Sequence, residues 1–427
     1  MDAQSKKSSF KRFWWILLII IILIGGCLIV SQLSGKDEPN EKNKKPFEQN
    51  QQDINTNEKK DFDKDSDKGG NFPECPNDLA GILTAPFIDP EEIGAIGPLG
   101  WVSPPGHTGA TDHNSYYIPC GDPVRGYAPA DGWITGVNRE YIDLKNTGTY
   151  ELIGTNLTFT VCKNVVLDFS IYETISESIE QVIADALKDP KACTEGITKL
   201  GKEGARKYCR VETNISIKAG EFIGIVKQEP GRCGTFEDWA HDYRQLSSAI
   251  TNPELKFYTH NGNMKYAICL FDMYTGELKN KYYNLFGLYD DYYGLFTKRT
   301  GEPLCGTQHQ EVIGSIQGTW YIGDTEELAI IHGDIDHTQG MISSAGTVTG
   351  PKIFSFSPAH SGTINREPSE VSTDGQVYCY NLTIYRVGDP AGKMLIQLID
   401  NNHLKAEYQR GACKTTDQFN QPVTLDR

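Results

Sequence analysis

The chain has 427 residues, 38% of them hydrophobic, and a formal net charge of −15, enough length for about two or three domains with full cores. That charge speaks against a nucleic-acid partner, because holding phosphates requires clustered Lys and Arg. Of the eleven cysteines, ten lie beyond an apolar N-terminal segment and none is spaced Cys-x-x-Cys, which favours disulfides in an oxidising compartment over a zinc ribbon or a thioredoxin motif.

Residues 1–12 form a basic tail with four cationic side chains, and residues 13–33 carry no charge. An apolar run of that length spans a bilayer as a helix, and the basic flank keeps its start inside, which predicts a single-pass anchor with everything after Gly35 on the extracytoplasmic side. Trp14 and Trp15 stand where an interfacial aromatic belt would lie. The small residues before Cys27 also fit a lipoprotein signal, but Leu28, Ile29 and Val30 carry the apolar run past it, so the uncleaved anchor is the preferred reading. Residues 34–72 are dominated by Lys, Asp, Glu, Asn and Gln, too polar to offset chain entropy, and read as a disordered linker.

From residue 75 to 263 short apolar segments recur between Gly, Asp and Asn turns, at Tyr116–Ile118, Trp133–Val137, Leu157–Val161, Val165–Phe169, Val211–Ile217 and Phe222–Val226. Their spacing predicts a mainly antiparallel β-domain. A helical insertion interrupts it at 176–207: Ile179, Val182, Ile183, Ala186 and Leu187 follow the spacing of one helix face, and a second helical stretch is expected from Thr194 to Ala205. The closeness of Cys193 to Cys209 suggests a local disulfide closing this arm. Asn156, Asn214 and Asn381 stand in Asn-x-Ser/Thr sequons, which suit an exterior location.

The stretch from Trp101 to Val137 carries the sharpest pattern. His107, Asp112 and His113 precede a strand, and Pro123-Val124-Arg125-Gly126-Tyr127-Ala128-Pro129-Ala130-Asp131-Gly132-Trp133-Ile134 follows. With the later hairpin Ile217-Lys218-Ala219-Gly220-Glu221-Phe222-Ile223-Gly224, this order resembles the lysostaphin-type zinc peptidases that cut peptidoglycan cross-bridges, over roughly residues 98–245. The resemblance implies a barrel-sandwich (duplicated hybrid) β-domain, and the same hairpins occur in lipoyl-type domains. Such peptidases hold zinc through an early His-x-x-x-Asp and the second His of a late His-x-His, with one coordination position open for water.

This sequence departs from that set twice. His107 and Asp112 are one residue too far apart, and no His-x-His occurs; the nearest run is Asp238-Trp239-Ala240-His241-Asp242, with Trp239 in the place of the catalytic His. The expectation is therefore a degenerate member without catalytic residues or metal. Were zinc retained, its ligands would come from His107, Asp112, His113 and His241.

Residues 264–427 read as a second β-rich domain, with strands expected at Lys265–Met273, Thr319–Ile322, Leu328–His332, Lys352–Phe356, Gln376–Arg386 and Met394–Ile399. Gly318-Thr319-Trp320 resembles the opening of calycin-like barrels, where the Trp plugs one end. A second disulfide is expected between Cys379 and Cys413. The tyrosine-rich stretch 282–296 suits packing between strands better than a carbohydrate platform, and His332–His337 reads as a polar turn after a strand rather than a loop metal site.

These features predict a membrane-anchored extracytoplasmic protein that binds in, or organises, the cell envelope, with a wall or surface glycan or an envelope protein as partner. The rivals are an active zinc endopeptidase and an adaptor of an export assembly.

Overall fold

The computed structural model describes residues 72–119, 123–143, 148–196, 205–226, 234–242, 267–290, 295–308, 310–323 and 325–427. The expected anchor at 13–33, most of the linker, and Cys27, Cys120 and Cys233 lie outside these residues. Among the described residues, no helix is long and apolar enough to cross a membrane.

Alternation of side chains decides the first lobe. In the strand Ala205–Ile217, Cys209 and Val211 point inward while Tyr208, Arg210 and Glu212 point to solvent, the two-residue period of a half-buried strand. In chain order the strands are β1 (Ala95–Gly97), β2 (Asn114–Ile118), β3 (Arg125–Tyr127), β4 (Gly132–Asp143), β5 (Glu151–Cys162), β6 (Val165–Ile175), β7 (Cys193–Gly196), β8 (Ala205–Ile217), β9 (Phe222–Val226) and β10 (Gly234–Asp242). They make one ten-stranded sheet in the order β1-β2-β10-β6-β5-β4-β8-β7, with β9 bridging β3 and β6. All the registered pairs are antiparallel. Turn chemistry joins the two hairpins singled out in the sequence: the Asp131 carboxylate accepts from the Ala219 amide at 3.0 Å and pairs with Lys218 at 2.8 Å. Gly132 is needed for space, since a Cβ there would lie 2.6 Å from the Phe159 ring and 2.7 Å from the Thr160 carbonyl.

The insertion differs from expectation. Helix α1 (Glu177–Ala184) buries Ile179 and Ile183, but Val182 is 55% exposed, so the apolar stripe is narrower than its spacing implied. Thr194 to Gly196 are not helical; they belong to β7, whose Cys193 stands opposite Cys209 and is joined to it by a disulfide. The cross-link sets a strand register, and the glycines at 196, 201 and 204 are poor helix formers.

Residues 267–305 also depart from the pattern. Instead of a strand at 265–273 there is a 3-10 turn at Leu270–Met273, followed by helix α2 (Gly276–Tyr283) and a hairpin of β11 (Gly287–Asp290) and β12 (Leu295–Lys298). Leu270, Phe271, Met273, Tyr282, Phe286 and Cys305 join the core of the first lobe. There Phe87 stacks on Phe169 at 5.4 Å and on Tyr282 at 5.9 Å. By packing, the two cores divide between Cys305 and Ile316, later than residues 263/264.

The second core is a closed barrel of eight strands, β13 (Gly318–Ile322), β14 (Thr325–His332), β15 (Gly340–Ser344), β16 (Lys352–Phe356), β17 (Tyr378–Ile384), β18 (Pro390–Asp400), β19 (His403–Gln409) and β20 (Val423–Asp426). Each strand pairs with the next in sequence, and β20 closes on β13 through Tyr321 and Asp426. Inward side chains fill the interior, among them Leu328, Ile330, Phe354, Tyr380, Met394 and Leu404, as expected at this strand number. Trp320 is fully buried, donates to the Ile316 carbonyl at 2.9 Å, and is covered by the Arg427 guanidinium 4.2 Å from its ring. The pairs Cys193–Cys209 and Cys379–Cys413 expected from sequence are present, together with Cys75–Cys162 and Cys269–Cys305.

Candidate functional site

Between β1 and β2 the chain makes a loop in which Ser103 and His107 exchange both backbone hydrogen bonds, at 2.7 and 2.9 Å. Aromatic packing organises it: the Trp101 ring lies 5.2 Å from His107 and 6.1 Å from His113, and the two imidazoles meet edge to face at 5.2 Å. The loop therefore brings together three of the four residues named from sequence. Asp112 and His113 precede β2, so strand alternation does not separate them; the His113 Nδ1 and an Asp112 carboxylate oxygen are 3.1 Å apart. His113 is almost wholly buried.

The fourth residue sits on β10, which runs between β2 and β6. Its register sets Asp238 opposite Asn114 on β2, Trp239 opposite Asp168 on β6, and His241 opposite Val166. The strand bearing the late motif is thus the direct neighbour of β2, which the early motif precedes, while the side chains of β10 lie outside the described ones. A catalytic zinc needs three converging protein ligands. Among the described residues no three His, Cys, Asp or Glu side chains form such a set.

The loop has a second, structural use. Val102 packs with Ala329, Ile331 and Met341 on the outside of the barrel, and the Gly109 amide donates to the Glu326 carboxylate at 2.9 Å. β14 is consequently buried on both faces, Leu328 and Ile330 inside the barrel and Ala329 and Ile331 beneath the loop. The histidine loop is a strut between the lobes.

A separate cluster forms where β14 ends. Residues 333–339 make the expected polar turn, closed by Gly333 and Gln339 at 2.9 Å. Hydrogen bonds from Thr338 hold the Asp336 carboxyl below its ordinary range. Burial pushes the Asp334 carboxyl up, opposed by a hydrogen bond from the Tyr385 hydroxyl. The Arg299 guanidinium, from the first lobe, donates to the Asp334 carbonyl, and burial lowers its affinity for its proton. The His332 and His337 rings lie 4.5 Å apart, tilted by 32°, and the His332 Nε2 is 3.5 Å from the Glu367 carboxylate. Sequence reading finds the turn but misses Arg299, Glu367 and Tyr385, because each comes from another element and no local spacing marks it.

The tyrosine-rich stretch contributes packing where it is described. Tyr282 is buried and donates to the Ile88 carbonyl at 2.7 Å, and Phe286 belongs to the same core. No family model, curated protein or solved structure matches this chain.

Proposed function

We propose that this is a membrane-anchored, extracytoplasmic binding protein of the cell envelope, built on a lysostaphin-peptidase-like sheet that no longer carries a catalytic zinc. The observation that supports it most is the adjacency of β2 and β10. That pairing is what a peptidase scaffold needs to unite its early and late ligands, yet His107 and Asp112 are one residue too far apart and Trp239 takes the place of the catalytic His. The four disulfides among the described residues favour an oxidising exterior, and the uncharged run 13–33 supplies the anchor. The barrel supports a calycin-like reading through its Gly318-Thr319-Trp320 opening and its closed meander. Its filled interior turns attention to the sheet lobe as the binding surface.

The test is co-sedimentation of the full chain, in detergent, with purified peptidoglycan, followed by analysis of released fragments. Retention on the wall without cross-bridge cleavage is the expected result. Cleavage that disappears in His241→Ala would establish the peptidase instead, and a ring-shaped oligomer with no wall binding would favour the adaptor.

A further inference from the structure

Three elements meet at His337. From the first lobe, the segment after β12 brings Arg299, Thr300 and Gly301; from the barrel come the turn 333–339 and the β16–β17 loop that carries Glu367. Contact between the lobes is close here. The Thr300 amide donates to the Ile335 carbonyl at 3.3 Å, and a Cβ on Gly301 would lie 2.5 Å from the His337 Cβ. His337 therefore packs against the backbone of one lobe on one side and the His332 ring on the other.

We propose that His337, packed against the His332 ring, is a proton-operated latch between the sheet lobe and the barrel, closed when its ring is neutral and loosened when acid charges it. A neutral His337 ring packs 4.5 Å from the His332 ring, whereas an imidazolium in that partly buried site is disfavoured by burial and repelled by the Arg299 guanidinium. Other charges set the balance. Burial opposes a proton on His337 most, followed by His332 and Arg299; Glu367 and Asp336 favour it, and the net effect is to hold its proton affinity below the ordinary 6.5. Glu367 faces His332 at 3.5 Å. Asp334 is engaged by Tyr385 and lies in the field of Arg386 and Arg299. Arg299 is the cation that a charged His337 would confront, and it is also the group that ties the first lobe to the Asp334 carbonyl.

The sign follows from linkage. A histidine whose folded affinity for protons is depressed contributes stability that is complete above pH 6.5 and declines as the pH falls below that value. Repulsion falls on the contact between Gly301 and His337, so the first bonds to open should be those between lobes.

The experiment is hydrogen exchange on the full chain between pH 7.5 and 5.5, corrected for intrinsic exchange. Protection of the Thr300 amide is expected to fall at least tenfold. The Ala128 amide, bonded within the first lobe to Glu221, and the Ala345 amide, bonded within the barrel to Glu327, should keep theirs. His337→Gln should abolish the pH dependence at Thr300. Unchanged protection in the native chain, or the same loss in His337→Gln, would overturn the latch. A measurement independent of any variant is the His337 ring titration in histidine-labelled protein: its midpoint should lie below 6.5 and coincide with the loss of protection, and a separation of more than about one pH unit would refute the coupling.

Discussion

The barrel and the sheet lobe are both antiparallel and both well packed, but they are wired differently. In the barrel every strand pairs with its neighbour in sequence. The sheet lobe inserts β10 between β2 and β6 and draws its core from residues as far apart as Leu83 and Cys305. Long-range pairing carries a loop-closure cost that local meanders avoid. Among the described disulfides the longest closed loop, Cys75–Cys162 with a separation of 87, is in the sheet lobe, beside the shorter Cys193–Cys209 at 16 and Cys269–Cys305 at 36; the barrel pair Cys379–Cys413 is separated by 34. Residues with chemical potential collect where the chain returns, at the β2–β10 junction and at the lobe boundary.

If the two cores are separate cooperative units, each should fail alone. Phe87→Ala removes a ring that contacts Tyr116, Phe169, Phe271 and Tyr282, and Trp320→Ala removes the ring beneath Arg427. Each change should cost about 3–5 kcal/mol. Calorimetry should show one transition lowered by the first variant and a different one by the second. A single shared transition depressed equally by both would mean that the strut at Val102 and Gly109 fuses the lobes, and the comparison would break.

A smaller effect distinguishes the lobes by the sign of their pH dependence. Burial raises the Glu311 carboxyl from 4.5 to about 6, despite the opposing Arg427 guanidinium and the Thr319 amide. A carboxyl raised on folding binds its proton more tightly in the native state, so it weighs on the barrel above pH 6 and is relieved as the pH falls towards 4.5. The relief is about 2 kcal/mol at most. Denaturant titration of the barrel transition should show this gain on acidification, and Glu311→Gln should flatten it. The latch at His337 has the opposite sign, so acid should loosen the lobe contact while it firms the barrel end.

How much of this was legible in the sequence follows the same division. β13, β14, β16, β17 and β18 coincide with expected strands because local alternation suffices for a meander, and the Trp320 opening was visible in three consecutive residues. β15 escaped notice because Gly340-Met341-Ile342-Ser343-Ser344 is buried throughout and shows no alternation. In the sheet lobe the strands β2, β4, β5, β6, β8 and β9 were legible, but β10 was not: Gly234–Asp242 is polar and its strand state rests on partners at 114–118 and 165–170. The region 267–305 looked like the start of a new domain because its apolar residues carry no sign of which core they enter. Of the candidate site, His107, Asp112 and His113 were identified as residues, but the packing of the two imidazoles on Trp101 was not, since a sequence gives no ring geometry.

The wiring difference also predicts unequal disulfides. In the chain-entropy picture, stabilisation grows with the logarithm of the loop closed, so removing Cys75–Cys162 should cost more than removing Cys193–Cys209, whose separation is 16, by about 1.5 kcal/mol. Paired alanine variants compared by chemical denaturation check this. Equal losses would indicate that local structure in the unfolded chain, and not the length of the closed loop, governs the lobe.

The smallest expected effect is none, and it bears on the chemistry of the β2–β10 junction. A ligand that binds only the folded state at a hundred times its dissociation constant raises stability by about 2.7 kcal/mol, so a zinc site in the sheet lobe would announce itself in that lobe's transition and leave the barrel unmoved. His107 and Asp112 are one residue further apart than the early zinc motif requires, and Trp239 stands in the place of the catalytic His, departures that a site tolerant of about 0.2 Å does not absorb. We therefore expect excess zinc to shift neither transition, and His241→Ala to behave as the native chain does. A zinc-dependent rise confined to the sheet-lobe transition and lost in His241→Ala would show that the early and late motifs close on a metal, and would overturn the proposal of a sheet without one.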